Sequence, residues 1–309
     1  MKDDNPFIRK TVFGSKSEHY LYKALNTMWR NSFLLFPSLP FATVFNLEKM
    51  DLTKGEKEFL FKTSIDFTLC DKKTYEPVLS IDFDGMGIGF SRNGEYIEIL
   101  PSDDKYRKLK FDLKLKISTQ AGYPYFIVSY KETENLEPCL NLTIVDGIIG
   151  KVLAWKHASK TIQERAWELD ETLSDLPSDL EREVISDWIV EKEVEGEFLW
   201  DPIVKKIGEY ESKLPEKLRS IGRDEIVKCK KYIPLSESSI PIPLDRFDQT
   251  IDSRLRELEK PIWIGYKVII ETNFGNIEKS VLIRNIGFFS ASLSKDIAEL
   301  LALKELAQF

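Results

Sequence analysis

Four acids in the first third of the chain stand where free acids are expensive. Glu18 lies in the helical run from Ser15 to Met28, Asp66 within Ser64-Ile-Asp-Phe-Thr-Leu-Cys70, and Asp82 and Asp84 end the apolar run Val78-Leu-Ser-Ile81. A carboxylate set in apolar sequence costs free energy unless something pairs with it, and a hard divalent cation with oxygen ligands is a usual partner. Carboxylates converging on a cation suit phosphodiester hydrolysis, because the metal polarises the phosphate and lowers the pKa of an attacking water. A lysine beside them stabilises the negative charge that develops. Lysines at 105, 108, 110, 114 and 116 could supply it.

Each of these residues also has a structural reading. Ser15-x-x-Glu18 has the spacing of a helix capping box. Asp82 and Asp84 share one strand face by the period of two, so both point at a cation or both meet water at a strand end. A lysine run is most often a solvated helix face. On such a helix Lys110 and Lys114 are an i, i+4 pair, and Lys116 lies beside the Leu113/Ile117 stripe.

Other chemistries are disfavoured. Two histidines, His19 and His157, argue against zinc-hydrolase or histidine-nucleophile catalysis. Asp146-Gly-Ile-Ile-Gly-Lys151 lacks the gap and the Ser/Thr of a phosphate loop and reads as a turn, and no dinucleotide fingerprint is present. Cys70, Cys139 and Cys229 are odd in number and far apart, which suits free thiols rather than a disulfide framework or zinc knuckle. A net charge of −7 argues against coating nucleic acid through bulk positive charge, though a local basic face remains compatible with it. The amino terminus has no apolar leader and no run approaches a membrane span, so the expectation is a cytoplasmic protein with no membrane partner.

The elements that must position the acids follow from pattern. Residues 15–30 form a capped amphipathic helix, Phe36 to Pro40 a proline-bearing turn, Thr43 to Leu47 a strand, and Lys54 to Lys57 a turn or loop. Strands over about 62–70 and 77–84 carry Asp66 and Asp82. A small hairpin or loop follows at 85–95, then a lysine-rich helix over 104–120 and a nearly continuous apolar strand over 123–130, expected at the centre of a covered sheet. Residues 141–232 read as mostly helical and Pro234–Pro243 as a connector. A short charged helix at 249–259, strands at 264–271 and 279–284, and a helix from Ser294 to Gln308 complete the chain.

In the order and spacing of these acids the chain resembles the PD-(D/E)XK nuclease superfamily, most closely its very-short-patch-repair-like members. That resemblance implies an α/β, restriction-endonuclease-like mixed sheet flanked by helices over residues 1–135. Glu18 matches the family's helical acid, Asp66 the first strand acid, Asp82 the second, and Asp84-Gly85 a variant strand end. Lys114 or Lys116, ahead of Gly122, matches a catalytic lysine moved onto the following helix. Where the family's acid-x-Lys is expected, this chain has Asp82-x-Asp84.

The implied function is Mg²⁺- or Mn²⁺-dependent hydrolysis of nucleic acid, DNA ahead of RNA. Asp66, Asp82 and Glu18 would hold the metal, and Asp84 with Lys114 or Lys116 would complete the catalytic set. The alternative is an inactive nuclease-fold protein that binds nucleic acid or serves as a scaffold; a third reading makes the acids caps and strand ends in a non-nuclease protein. A mainly helical region at 136–233 and a small α+β domain at 234–309 would choose the substrate or join protomers or a protein partner. Ser294-Lys-Asp-Ile-Ala298 after two strands has some likeness to a double-stranded-RNA-binding domain. Arg254, Arg256, Lys260, Lys267 and Arg284 are candidates for a basic face.

Overall fold

The computed structural model describes residues 13–84, 87–90, 96–98, 105–136, 140–173, 178–220, 227–235, 263–273, 275–284 and 289–308. Gly85, Cys139, the predicted helix at 249–259, Arg254, Arg256 and Lys260 lie outside the described residues. The chain divides into two compact units, one of residues Met1–Ser91 and Tyr96–Thr133, the other of Arg92–Glu95 and Glu134–Phe309.

In the first unit, Ser15 caps helix α1 (Lys16–Trp29) by accepting the Glu18 N–H at 3.1 Å, and the stripe Leu21, Leu25 and Trp29 is buried. Strand β1 (Phe33–Pro40) follows, then a single helical turn α2 (Phe41–Val44) and a 3₁₀ turn at Leu47–Lys49. Helix α3 (Lys54–Phe61) starts at a full capping box: Glu56 N–H donates to Thr53 Oγ1 at 3.2 Å and Thr53 N–H to Glu56 Oε2 at 2.8 Å. Strands β2 (Ser64–Asp71) and β3 (Pro77–Phe83) meet at a tight turn, where Asp71 Oδ1 accepts the N–H groups of Lys73 and Thr74 at 2.7 and 2.9 Å. A hairpin of β4 (Gly87–Phe90) and β5 (Tyr96–Glu98) precedes helix α4 (Lys105–Gln120), strand β6 (Tyr125–Val128) and a short helix α5 (Tyr130–Thr133).

The main sheet runs β1-β2-β3-β6. Its first two pairings are antiparallel, while β3 and β6 are parallel and joined through α4. Phe41, Phe45, Leu47, Leu60, Ile65, Leu113, Ile117 and Tyr125 form one buried cluster that ties α2, α3 and α4 to the sheet. The unit is therefore mixed α/β, with the acids in its two inner strands.

Four sequence expectations are corrected here. Phe36–Pro40 belongs to β1 rather than to a turn, because β1 is an edge strand and a proline there removes no interior ladder bond. The strand expected at Thr43–Leu47 is instead α2 and the 3₁₀ turn, and Lys54–Lys57 opens α3. Strand β6 is shorter than expected and ends the sheet; α4 and the buried cluster, rather than a second neighbouring strand, cover its apolar residues.

The second unit holds helices α6 (Ile144–Leu173), α7 (Ser178–Trp200) and α8 (Pro202–Ser220), strands β7 (Val227–Pro234), β8 (Trp263–Thr272) and β9 (Gly275–Arg284), and helix α9 (Ser290–Leu306). The strands form an antiparallel sheet in the order β7-β8-β9, so residues 227–232, expected to be helical, are instead in β7, which ends at Pro234 where the connector was expected to begin. Helix α9 packs on β8 and β9 and also on α8 and α6. Its Leu293, Ile297, Ala298, Leu300, Ala302 and Leu303 are all buried. The segment expected as a separate C-terminal domain thus shares its central helix with the helical region.

The Gly-Ile-Ile-Gly-Lys segment is helical, within α6, and not a turn. Thr143 and Asp146 cap that helix reciprocally: Asp146 Oδ2 accepts Thr143 N–H at 3.0 Å and Thr143 Oγ1 accepts Asp146 N–H at 3.1 Å. A Cβ on Gly150 would lie 2.8 Å from the Asp201 Cα, and one on Gly196 2.6 Å from the Ala154 carbonyl, so these glycines permit close helix approach. Lys151 is then buried against three acids: Glu197 and Asp296 at 2.6 Å, and Asp201 at 3.3 Å. Asp296 therefore faces inward, and Lys295 stacks over Tyr232 at 4.8 Å. Asp296 is thus engaged by Lys151 rather than turned outward. No helix among the described residues is long and apolar enough to cross a membrane.

Candidate active site

The β2–β3 ladder runs up to the pair Phe67 and Ile81. One step further, the backbone N–H groups are taken by side chains of the opposite strand. Asp66 N–H donates to Asp82 Oδ1 at 2.9 Å, and Phe83 N–H donates to Asp66 Oδ2 at 2.8 Å. Two carboxylates are thereby fixed against each other where the ladder stops. Buried backbone donors need such partners, which gives the acids a local structural role as well as any chemical one.

Helix α4 brings Lys114 into the same place. Its ammonium donates to Asp82 Oδ2 and to the Ser64 carbonyl, the latter at 2.5 Å, and lies 5.8 Å from the centre of the Phe41 ring. Both Lys114 and Asp82 are fully buried. Tyr125, from β6, donates its hydroxyl to the same Asp82 Oδ2 at 2.5 Å. Asp82 thus takes three donors from three elements: β2, α4 and β6.

The electrostatics follow from this crowding. Burial, then the neighbouring Asp82 charge and more weakly Glu18, push the Asp66 carboxyl up to about 6; the Phe83 N–H and Lys110 oppose them. Burial lowers the Lys114 pKa, with Lys110 adding to the effect and Asp82 resisting it. Burial beside Asp82 and Asp66 raises the Tyr125 phenol well above its usual range, so it stays a protonated donor. Asp66 Oδ1 accepts no hydrogen bond among the described residues.

The structure brings Asp66, Asp82 and Lys114 together, with Glu18 in electrostatic range. Glu18 itself is occupied as a cap: its Oε2 accepts the Gly14 N–H at 2.8 Å. Asp84 is buried at the end of β3, where its N–H donates to the Val128 carbonyl at 2.7 Å. Lys116 is a correction. It leaves the site and pairs with Glu56 of α3 at 3.5 Å, because it is two residues from Lys114 and points to another face of α4. Sequence reasoning missed Tyr125; the only signal was a hydroxyl in an apolar run directly after the lysine helix. The Lys110/Lys114 spacing was visible, but which of the two entered was not.

Among the described residues no three His, Cys, Asp or Glu side chains lie close enough to form a metal cage. Mg²⁺, however, commonly uses only one or two carboxylates and completes its shell with water and substrate phosphate. Asp66 and Asp82 are such a pair. Burial is the first cause of the raised Asp66 pKa and the Asp82 charge the second, and a cation would offset the second; with Asp66 Oδ1 accepting no hydrogen bond among the described residues, the chemistry of the pair fits a hard divalent ion. Compared with known protein families, curated proteins and solved structures, the chain matches none.

Proposed function

We propose that the first unit is a PD-(D/E)XK-type, restriction-endonuclease-like domain that hydrolyses phosphodiester bonds of nucleic acid, DNA ahead of RNA, with Mg²⁺ or Mn²⁺. The observation that carries this reading is the convergence of Asp66, Asp82 and an α4 lysine amine where the β2–β3 ladder ends. Further support comes from the element order: a helix, three antiparallel strands, a crossover helix and a parallel fourth strand, as the resemblance implies.

Asp66 and Asp82 would hold the ion, with Glu18 acting through water and Asp84 behind Asp82. Bound there, the metal would polarise the scissile phosphate and lower the pKa of a water. The chain's own part is positional. Lys114 and Tyr125 hold Asp82 in one orientation, the Phe83 N–H holds Asp66, and the buried Lys114 charge offsets part of the acidic potential. Asp66 must be ionised to hold a cation, so proton and metal compete and activity falls with pH, with a midpoint that moves below about 6 as the metal concentration rises.

The test is cleavage of labelled DNA and RNA with Mg²⁺ or Mn²⁺ by wild type and Asp66→Asn. Metal-dependent cutting that the variant loses supports the reading; no cutting by wild type under any of these conditions sinks it. A second reading, an inactive nuclease-fold protein that binds nucleic acid or acts as a scaffold, is favoured by one specific observation. Lys114 and Asp82 satisfy each other while fully buried, a self-contained ion pair. Metal-independent binding without cutting is the outcome that selects it.

A further inference from the structure

Helix α4 presents two lysines to the acidic pair, and they sit in different surroundings. The Lys114 ammonium is fully buried, and its three sides are taken by Asp82, the Ser64 carbonyl and the Phe41 ring. A substrate phosphate cannot reach it. Lys110 lies one turn earlier on the same helix face, as i, i+4 spacing requires. It is only partly buried. Its charge acts on both Asp66 and Lys114, so it lies within electrostatic range of the acidic pair. No hydrogen bond or carboxylate partner engages its amine among the described residues, and the amine lies 5.3 Å from the centre of the Phe111 ring.

Resting on the nuclease reading, we propose that Lys110 is the residue that contacts the substrate phosphate, while Lys114 and Tyr125 are positioning residues that hold Asp82. The two tasks conflict in one side chain. An amine that fixes a buried carboxylate must be dry and fully bonded, whereas one that meets a phosphate must be open and free to donate. Placing them a turn apart assigns each to its own lysine. A lysine so placed acts as a point charge on a phosphate oxygen, insensitive to base identity.

The test uses the full chain with Lys110→Ala and Lys110→Arg, and with Lys73→Ala as a charge control. Lys73 is exposed on the β2–β3 turn, at the opposite end of these strands from Asp66. Two readouts are taken on the same labelled duplex and single-stranded DNA and RNA. One is kcat/KM for cleavage with Mn²⁺; the other is the salt dependence of binding with Ca²⁺ in place of Mn²⁺. Lys110→Ala is expected to lower kcat/KM by about 10²-fold at unchanged melting temperature. It should also reduce the slope of log K against log salt by about 1. Lys110→Arg restores the slope and part of the rate, and Lys73→Ala changes neither.

Wild-type values for Lys110→Ala in both readouts, while Asp66→Asn is inactive, overturn the Lys110 assignment and leave the nuclease reading standing. Binding without cutting by wild type overturns the nuclease reading, and the salt slope then decides the phosphate contact alone. If wild type neither binds nor cuts, both fall.

Discussion

Asp66 is asked to do two things that pull against each other. Its carboxyl is pushed up to about 6 by burial and by Asp82, which means the fold prefers it protonated. Between the ordinary carboxylate value of 3.8 and about 6, the folded chain binds the proton that the unfolded chain has released. Stability therefore falls as pH rises through that window and is flat above it. Asp66→Asn keeps an oxygen for the Phe83 N–H and removes the ionisation, so it is expected to stabilise the first unit at pH 7 by roughly 1–3 kcal/mol while abolishing metal-dependent cleavage. Urea titrations of both proteins at pH 4.5 and pH 7 check this. An Asn variant less stable than wild type at pH 7 would mean that the Asp66 charge is satisfied in the fold. Lys114 gives the opposite sign. Lys114→Met leaves Asp82 buried with only neutral donors, and the expected loss is about 3–5 kcal/mol. Lys114→Met combined with Asp82→Asn should recover much of it, because no uncompensated charge remains.

At the scale of elements, glycines decide how closely helices approach, and the same substitution has opposite effects at different sites. Gly55 lies in the first turn of α3 with nothing within 4 Å of a would-be Cβ. Gly55→Ala is expected to stabilise by about 0.4–1 kcal/mol through lower backbone entropy in the unfolded chain. Gly196→Ala forces a Cβ to 2.6 Å from the Ala154 carbonyl of α6 and is expected to cost about 1–3 kcal/mol. Thermal unfolding of the two variants checks both signs. These elements also show what sequence could and could not yield. The strands bearing Asp66 and Asp82 were legible because acids interrupt apolar runs that turn residues bound on either side. Strand β1 was not, because its prolines read as a turn until β2 is known to be its only neighbour among the described residues and the edge tolerates them. Helix α3 carried its own signal in Thr53-x-x-Glu56, obscured by the Gly55 between them. The glycines at 147 and 150 read as a turn because spacing alone does not separate a turn from a helix face thinned for packing. Lys114 rather than Lys116, and Tyr125 as its companion, depend on how α4 is rotated about its axis, which the Phe41, Leu60 and Ile65 cluster sets.

Across the molecule, each unit is held by its own buried charge pairing, so the two can be perturbed separately. In the first unit it is Lys114 with Asp82; in the second, Lys151 with Glu197, Asp201 and Asp296. Burial raises Asp296 to about 6, and Lys151 is held above its usual value by the acids around it. Removing the amine leaves three acids facing one another, so Lys151→Met is expected to destabilise the second unit by about 3–5 kcal/mol. The tryptophans make the outcome readable, since Trp29 belongs to the first unit and Trp155, Trp167, Trp188, Trp200 and Trp263 to the second. Tryptophan fluorescence chiefly follows the second unit, while amide exchange along β2 and β3 follows the first. Lys151→Met should shift the fluorescence transition in urea and leave β2–β3 exchange as in wild type. Mn²⁺ at about 100 times its Kd should slow β2–β3 exchange by an amount equivalent to about 2.7 kcal/mol in wild type and in Lys151→Met alike, and not at all in Asp66→Asn. A fluorescence shift from Mn²⁺, or loss of the Mn²⁺ effect in Lys151→Met, would show that the units unfold as one and that ion binding at Asp66 is shared with the Lys151 cluster.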